Sequence, residues 1–196
     1  MKKRVITLST AALLSLCMGA AAADESRPSY SHIGISWIEF DLDGPDGSAV
    51  ELSGGLGLAE YVYVQGKYLY GETDDVISGV DNAEVTQYEA GLGLRAPLGQ
   101  EGDIFLEVGL VEAEVQVGPV TVKGDGEYYR LGLRGMLSSN VEMSANLLRQ
   151  EDNSTGENGI EIGLLGYLNQ NLALSANYQS IDESDYFKFG LRFDID

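Results

Sequence analysis

Cysteine is nearly absent: the only one in 196 residues is Cys17. One thiol can close no disulfide framework and build no thiolate zinc site. Basic residues are also scarce, 12 against 31 acidic ones for a formal charge of −19, which excludes an electrostatic nucleic-acid binder. There is a single histidine, His32. Beyond the first residues no apolar run approaches the ~18 residues of a spanning helix. Any membrane reading must therefore rest on strands.

What is present begins with MKKRVITLSTAALLSLCMGAAAADE. Lys2, Lys3 and Arg4 precede an apolar run from Val5 to Ala20, and small Ala21 and Ala23 follow it. That is the pattern of a secretory signal peptide over 1–23, cut after Ala23, with 24–196 as the single folded domain. A retained anchor fits less well, because the run is short and contains Thr7, Ser9, Thr10 and Ser15. A lipidated Cys17 is disfavoured by bulky Leu16, where such a site wants a small residue. The leader takes three of the 12 basic residues and none of the 31 acidic ones, so nine basic residues remain and the mature charge is −22.

From Tyr30 onward, alternating segments of about ten residues are separated by turn-rich breaks, the pattern of a transmembrane barrel. Strands are expected near 30–40, 48–58, 61–70, 84–96, 103–117, 127–138, 141–150, 159–168, 171–180 and 185–195. The expected fold is all-β, a single antiparallel up-and-down transmembrane β-barrel of ten strands, with eight as the alternative. Ala59-Glu60, Pro97 to Gly102, Ser139-Asn140 and Asn169-Gln170 are mostly tight turns. Asp41 to Gly47, Gly71 to Ala83, Gly118 to Gly126, Glu151 to Asn158 and Ile181 to Ser184 are mostly longer and acidic. Short periplasmic turns and longer acidic extracellular loops are what outer-membrane barrels show, so both termini are expected in the periplasm. Along 103–117 the apolar alternation changes phase, which suggests a β-bulge near Leu110.

The C-terminal stretch YFKFGLRFDID poses the question of which face is inside. Collected over all strands, the polar register holds Glu51, Lys67, Glu89, Arg95, Glu107, Arg130, Arg134, Glu142, Glu161, Lys188, Arg192 and Asp194. Six are acidic and six basic, in a chain with a large acidic excess, so this face reads as an ion-paired lumen. Glycines on the same register, among them Gly34, Gly91, Gly93, Gly109 and Gly132, leave room for long side chains. Trp37, Tyr68, Tyr70, Tyr88, Tyr129, Tyr178 and Phe187 share the apolar register, near the longer-loop ends of their strands. An aromatic belt at a lipid interface explains that grouping.

On these residues the sequence resembles the small outer-membrane β-barrel proteins related to the OmpA membrane domain and OmpX. The likeness is to short, leader-bearing barrels with a mature start like Ser29-Tyr30-Ser31-His32-Ile33-Gly34 and an early Asp43-Gly44-Pro45-Asp46 loop. It covers essentially the whole mature chain. It implies residence in the bacterial outer membrane, contact with lipid and lipopolysaccharide, and delivery by the outer-membrane insertion machinery. That machinery recognises a terminal strand usually closed by an aromatic residue, whereas this chain ends at Asp196 with Phe193 its last aromatic.

No catalytic constellation is found. His32 is on the polar register with no serine or cysteine motif beside it and is expected to be a hydrogen-bonding residue of the lumen. Asp41 to Gly47 looks superficially like a calcium loop, but Pro45 and Leu52 stand where an EF-hand needs oxygen ligands. No cofactor is implied, and weak, shared binding of divalent cations by the acidic loops is left open. The expected role is that of a monomeric, non-enzymatic outer-membrane barrel with a charge-filled lumen, serving envelope integrity or surface interaction. A narrow pore for ions or small solutes and a soluble secreted ligand-binding barrel are the alternatives.

Overall fold

The computed structural model describes residues 28–41, 46–73, 82–152, 156–182 and 184–195. The expected leader and positions 42–45 and 74–81 lie outside them. Ten strands follow in chain order: β1 (His32–Asp41), β2 (Asp46–Ala59), β3 (Val62–Thr73), β4 (Ala83–Leu98), β5 (Gly102–Val117), β6 (Val120–Ser138), β7 (Val141–Asp152), β8 (Gly156–Tyr167), β9 (Leu172–Ile181) and β10 (Ser184–Asp194). Each pairs antiparallel with its sequence neighbours, and β1 pairs with β10, so the sheet closes into a barrel. The eight-strand alternative is set aside. Closure leaves no long sheet edge to be satisfied within a bilayer.

Alternation decides the two faces of this wall. On β10, Tyr186, Lys188, Gly190, Arg192 and Asp194 turn inward, while Phe187, Phe189, Leu191 and Phe193 turn outward, as does Ile195 just beyond the strand. On β1 the exposed apolar residues are Ile33, Ile35 and Trp37, and Ile38 beside them is wholly buried. Glycines give inward side chains room. A Cβ at Gly93 would strike the Tyr63 ring, and one at Gly91 or Gly109 the Tyr128 ring.

Two expectations fail on β5 and β6. There is no bulge near Leu110, because β5 keeps one register against both β4 and β6 along its whole length. The apolar phase changes because the strand changes surroundings. Leu106, Val108 and Leu110 face outward at one depth; higher up the same face carries Glu112, Glu114 and Gln116, and Val111, Ala113, Val115 and Val117 look inward. Nor is 118–126 a loop: Gly118 and Pro119 make a tight turn, with Gly118 at φ 55°, and β6 starts at Val120. The irregularities that do occur, at Gly57/Ala59 and Met136/Ser138, adjoin the tight turns near the end that bears both termini.

Candidate functional site: a layered, ion-paired lumen

All twelve residues of the expected charge network face the interior. They fall into two tiers. The middle tier is centred on Glu107 of β5, which is 1% exposed. It accepts hydrogen bonds from Tyr63 Oη of β3 (3.0 Å), Tyr128 Oη of β6 (2.8 Å) and Arg130 Nη1 (2.6 Å). Arg130 also lies 4.0 Å from Glu89 of β4, which is bound by Lys67 Nζ at 2.9 Å and Gln87 Nε2 at 2.9 Å. Lys188 of β10 bonds Glu51 of β2 at 3.2 Å, and Asn146 Nδ2 of β7 donates to Glu161 of β8 at 3.0 Å. Lys67 faces Glu89, and Arg130 faces Glu107, directly across their strand pairs, so the register that closes the barrel also neutralises its wall.

The second tier lies at the terminus-bearing end. Arg134 binds Glu142 at 2.6 Å, Arg192 binds Asp194 at 2.6 Å, and Arg95 reaches Asp103 at 3.4 Å. The Tyr167 hydroxyl stands 3.2 Å from Glu142 and 3.0 Å from Asp194, one proton between two carboxylates. Inside this ring is Tyr30, from the segment before β1. Its ring lies 4.5 Å from the Arg95 guanidinium, 4.6 Å from that of Arg134 and 4.5 Å from the Tyr63 ring. Burial pushes its phenol up to about 12, against the pull of Arg134, so its contact with both arginines is cation–π attraction to a neutral ring. Toward the opposite end of the lumen Ile38, Phe40 and Ala49 pack against Leu69 and Tyr186, beside the polar Gln87, Gln150 and Gln179.

A chamber lies on each side of the middle tier. One of about 170 Å³ is lined by Tyr30, His32, Ser53, Asn146 and Glu161, and one of about 70 Å³ by Ile38, Leu69, Leu148 and Tyr186. Glu51, Lys67, Arg130 and Lys188 line both, so the middle tier is the partition. His32 faces the larger chamber, and its Nδ1 has no hydrogen-bond partner. Among the described residues no three His, Cys, Asp or Glu side chains are grouped to hold a metal.

Sequence reasoning missed Asp103 and the inward tyrosines 30, 63, 128 and 167. Parity could have found four of them: Asp103 is four residues from Glu107, Tyr63 four from Lys67, Tyr128 two from Arg130 and Tyr167 six from Glu161, each on the charged register. The seven expected belt aromatics all face outward, and two pairs touch, Tyr68 with Tyr88 at 5.1 Å and Tyr178 with Phe187 at 5.0 Å between centroids.

Charges paired inside and a bare apolar face outside, where Leu110 is 66% exposed, invert a water-soluble barrel. The family model for the outer membrane protein beta-barrel domain matches residues 8–192. The chain belongs to that family. This outer-membrane barrel shares its fold with the NanC porin, at TM-score 0.57 and 8% identity over 83% of this chain and 100% of the other. The KdgM porin aligns at TM-score 0.48 and 11% identity, over 83% and 99% of the two chains. For the N-terminal barrel of Pseudomonas aeruginosa OprF the values are 0.42 and 14%, over 86% and 100%. No curated protein matches the chain. Membership in the family places the barrel in the outer membrane, where short turns such as those at the terminus-bearing end are expected on the periplasmic side.

Proposed function

We propose that this barrel is a non-enzymatic, monomeric component of the bacterial outer membrane, closed at rest, which serves envelope integrity or surface interaction. In this reading a leader over 1–23 directs export and is removed, and the insertion machinery assembles the remainder beside lipopolysaccharide. The supporting observation is the middle tier: Glu107, 1% exposed, is held by three donors, and Lys67, Arg130 and Lys188 each have a carboxylate partner. Charges so satisfied have no need of bulk water, and the tier bars the lumen. Weak divalent-cation binding belongs to the same reading, since the mature chain is strongly acidic.

A second reading, a narrow pore for ions or small solutes, is favoured by the two chambers on either side of that tier. Parting the pairs of Arg130 would join them. Planar-bilayer recording separates the readings. A silent bilayer with folded protein supports the closed barrel, and discrete, reproducible conductance steps support the pore. Carbonate or urea washing of membranes tests both, since protein released into the supernatant contradicts either one. N-terminal sequencing of the mature protein should begin at Asp24.

A further inference from the structure

The wall strands do not close the periplasmic end of the larger chamber. Residues ahead of β1 do. Pro28, Ser29 and Tyr30 are all buried, although none belongs to a strand. The Ser29 carbonyl accepts hydrogen bonds from Arg134 Nη1 at 3.0 Å and Arg192 Nη2 at 2.6 Å. The Tyr30 ring, 6% exposed, fills the space between Arg95 and Arg134 and packs on Tyr63, which packs on Phe105. One residue later the chain is tied into the wall: the Ser31 carbonyl accepts from the Ile195 N–H at 2.8 Å, and its hydroxyl accepts from the Gly57 N–H at 3.2 Å.

This division has a mechanical consequence. Ser31 is an anchored pivot, whereas the contacts of residues 28–30 include hydrogen bonds from Arg134 and Arg192 to the Ser29 carbonyl, two between Ser29 and Ser31, two guanidinium contacts with the Tyr30 ring and its stack on Tyr63. None of those contacts is a ladder bond between strands. Arg95, Arg134 and Arg192 keep Asp103, Glu142 and Asp194 as partners when the segment leaves, so its departure strands no buried charge. Removing a wall residue such as Arg130 would orphan one.

We propose that residues 28–30 form a stopper that seals the 170 Å³ chamber on its periplasmic side and that can leave and re-enter while the barrel stays folded. When it is out, water and small polar solutes reach the chamber from the periplasm. The device holds whether or not the middle tier ever conducts, because it concerns one side of one chamber.

Thiol accessibility tests it. In a Cys17→Ser background the chain has no other cysteine, so Ser144→Cys places one thiol on the chamber lining. The probe is a membrane-impermeant, sulfonate-bearing methanethiosulfonate, applied to folded protein whose compact electrophoretic mobility before boiling is checked for every variant. Adding Tyr30→Ala should raise the labelling rate at least tenfold, and adding Tyr30→Phe should leave it near the parent value, since the ring and not the hydroxyl blocks the way. Equal rates for Tyr30→Ala and its parent overturn the proposal. Should Tyr30→Ala fail to fold, Tyr30→Trp in a Trp37→Phe background keeps the ring and reports by fluorescence. Acrylamide should then quench the introduced indole several-fold less than free tryptophan; quenching as strong as that of free tryptophan overturns the stopper.

Discussion

Glu107 shows how one buried carboxylate organises its neighbours. Three donors from two other strands converge on it, and they are unequal. Arg130→Ala removes the cation that pairs with it and should cost about 3 kcal/mol, since a buried charge is left without its counter-ion. Tyr128→Phe removes one neutral donor to that carboxylate and should cost about 1.5 kcal/mol. Urea-midpoint shifts for the two variants refolded into the same lipid give the comparison. Similar losses for both would mean that water fills the tier and screens Glu107. The partners of the two arginines were legible in the sequence as carboxylates on the same register, and Arg130 meets Glu89 and Glu107, and Arg134 meets Glu142. The tyrosines were not, because an aromatic ring suits either lipid or a lumen and only its parity relative to Arg130 or Lys67 distinguishes the two.

Strand β5 carries the depth of the membrane along its outward face. Leu106→Arg should impair assembly by roughly 2 to 4 kcal/mol, as a cation near the bilayer midplane does. Gln116→Arg, on the same face of the same strand but above the apolar band, should be tolerated. Refolding yield into lipid vesicles, followed by the mobility shift, measures both. Equal damage would argue for the bulge near Leu110 that the continuous register excludes. Space inside the wall gives a second contrast. Gly93→Leu must displace the Tyr63 ring, whereas a Cβ added at Gly124 meets nothing within 4 Å, so Gly124→Leu has open space to enter. The first should lower the urea midpoint, and the second should leave it within experimental error. The other misplaced element, the supposed loop at 118–126, was hidden because glycine and proline mark loops and tight turns alike. Pairing of Val117 with Val120 decides for the turn.

For the whole molecule, closure predicts heat-modifiable mobility: unboiled protein should migrate away from its unfolded position in detergent, with no sheet edge for detergent to open. Identical mobility before and after boiling would contradict the barrel. On the same folded material, Arg130→Ala with Arg134→Ala breaks the ion pairs of both tiers at once. The double variant should either lose stability or show a conductance that the parent lacks. Unchanged stability together with a silent bilayer would mean that the arginines face solvent and seal nothing.

Period-2 alternation by itself determined the strand class and pointed to ten strands with eight as the alternative; the lipid-facing side followed from which register carried the charges, because a strand's side chains must take opposite faces and an outward charge is costly in a bilayer. Charge balance on one register determined that the interior would be paired. The sequence could not say that Tyr30 enters the lumen: nothing periodic constrains a residue ahead of the first strand. Its place depends on arginines 95 and 134, which only barrel closure brings together around it. Nor could it say that Tyr167 would share a proton between Glu142 and Asp194, since these three side chains come from β8, β7 and β10. Contacts of that kind depend on strand register and barrel curvature, which arise from the closed sheet as a whole and are written in no single segment.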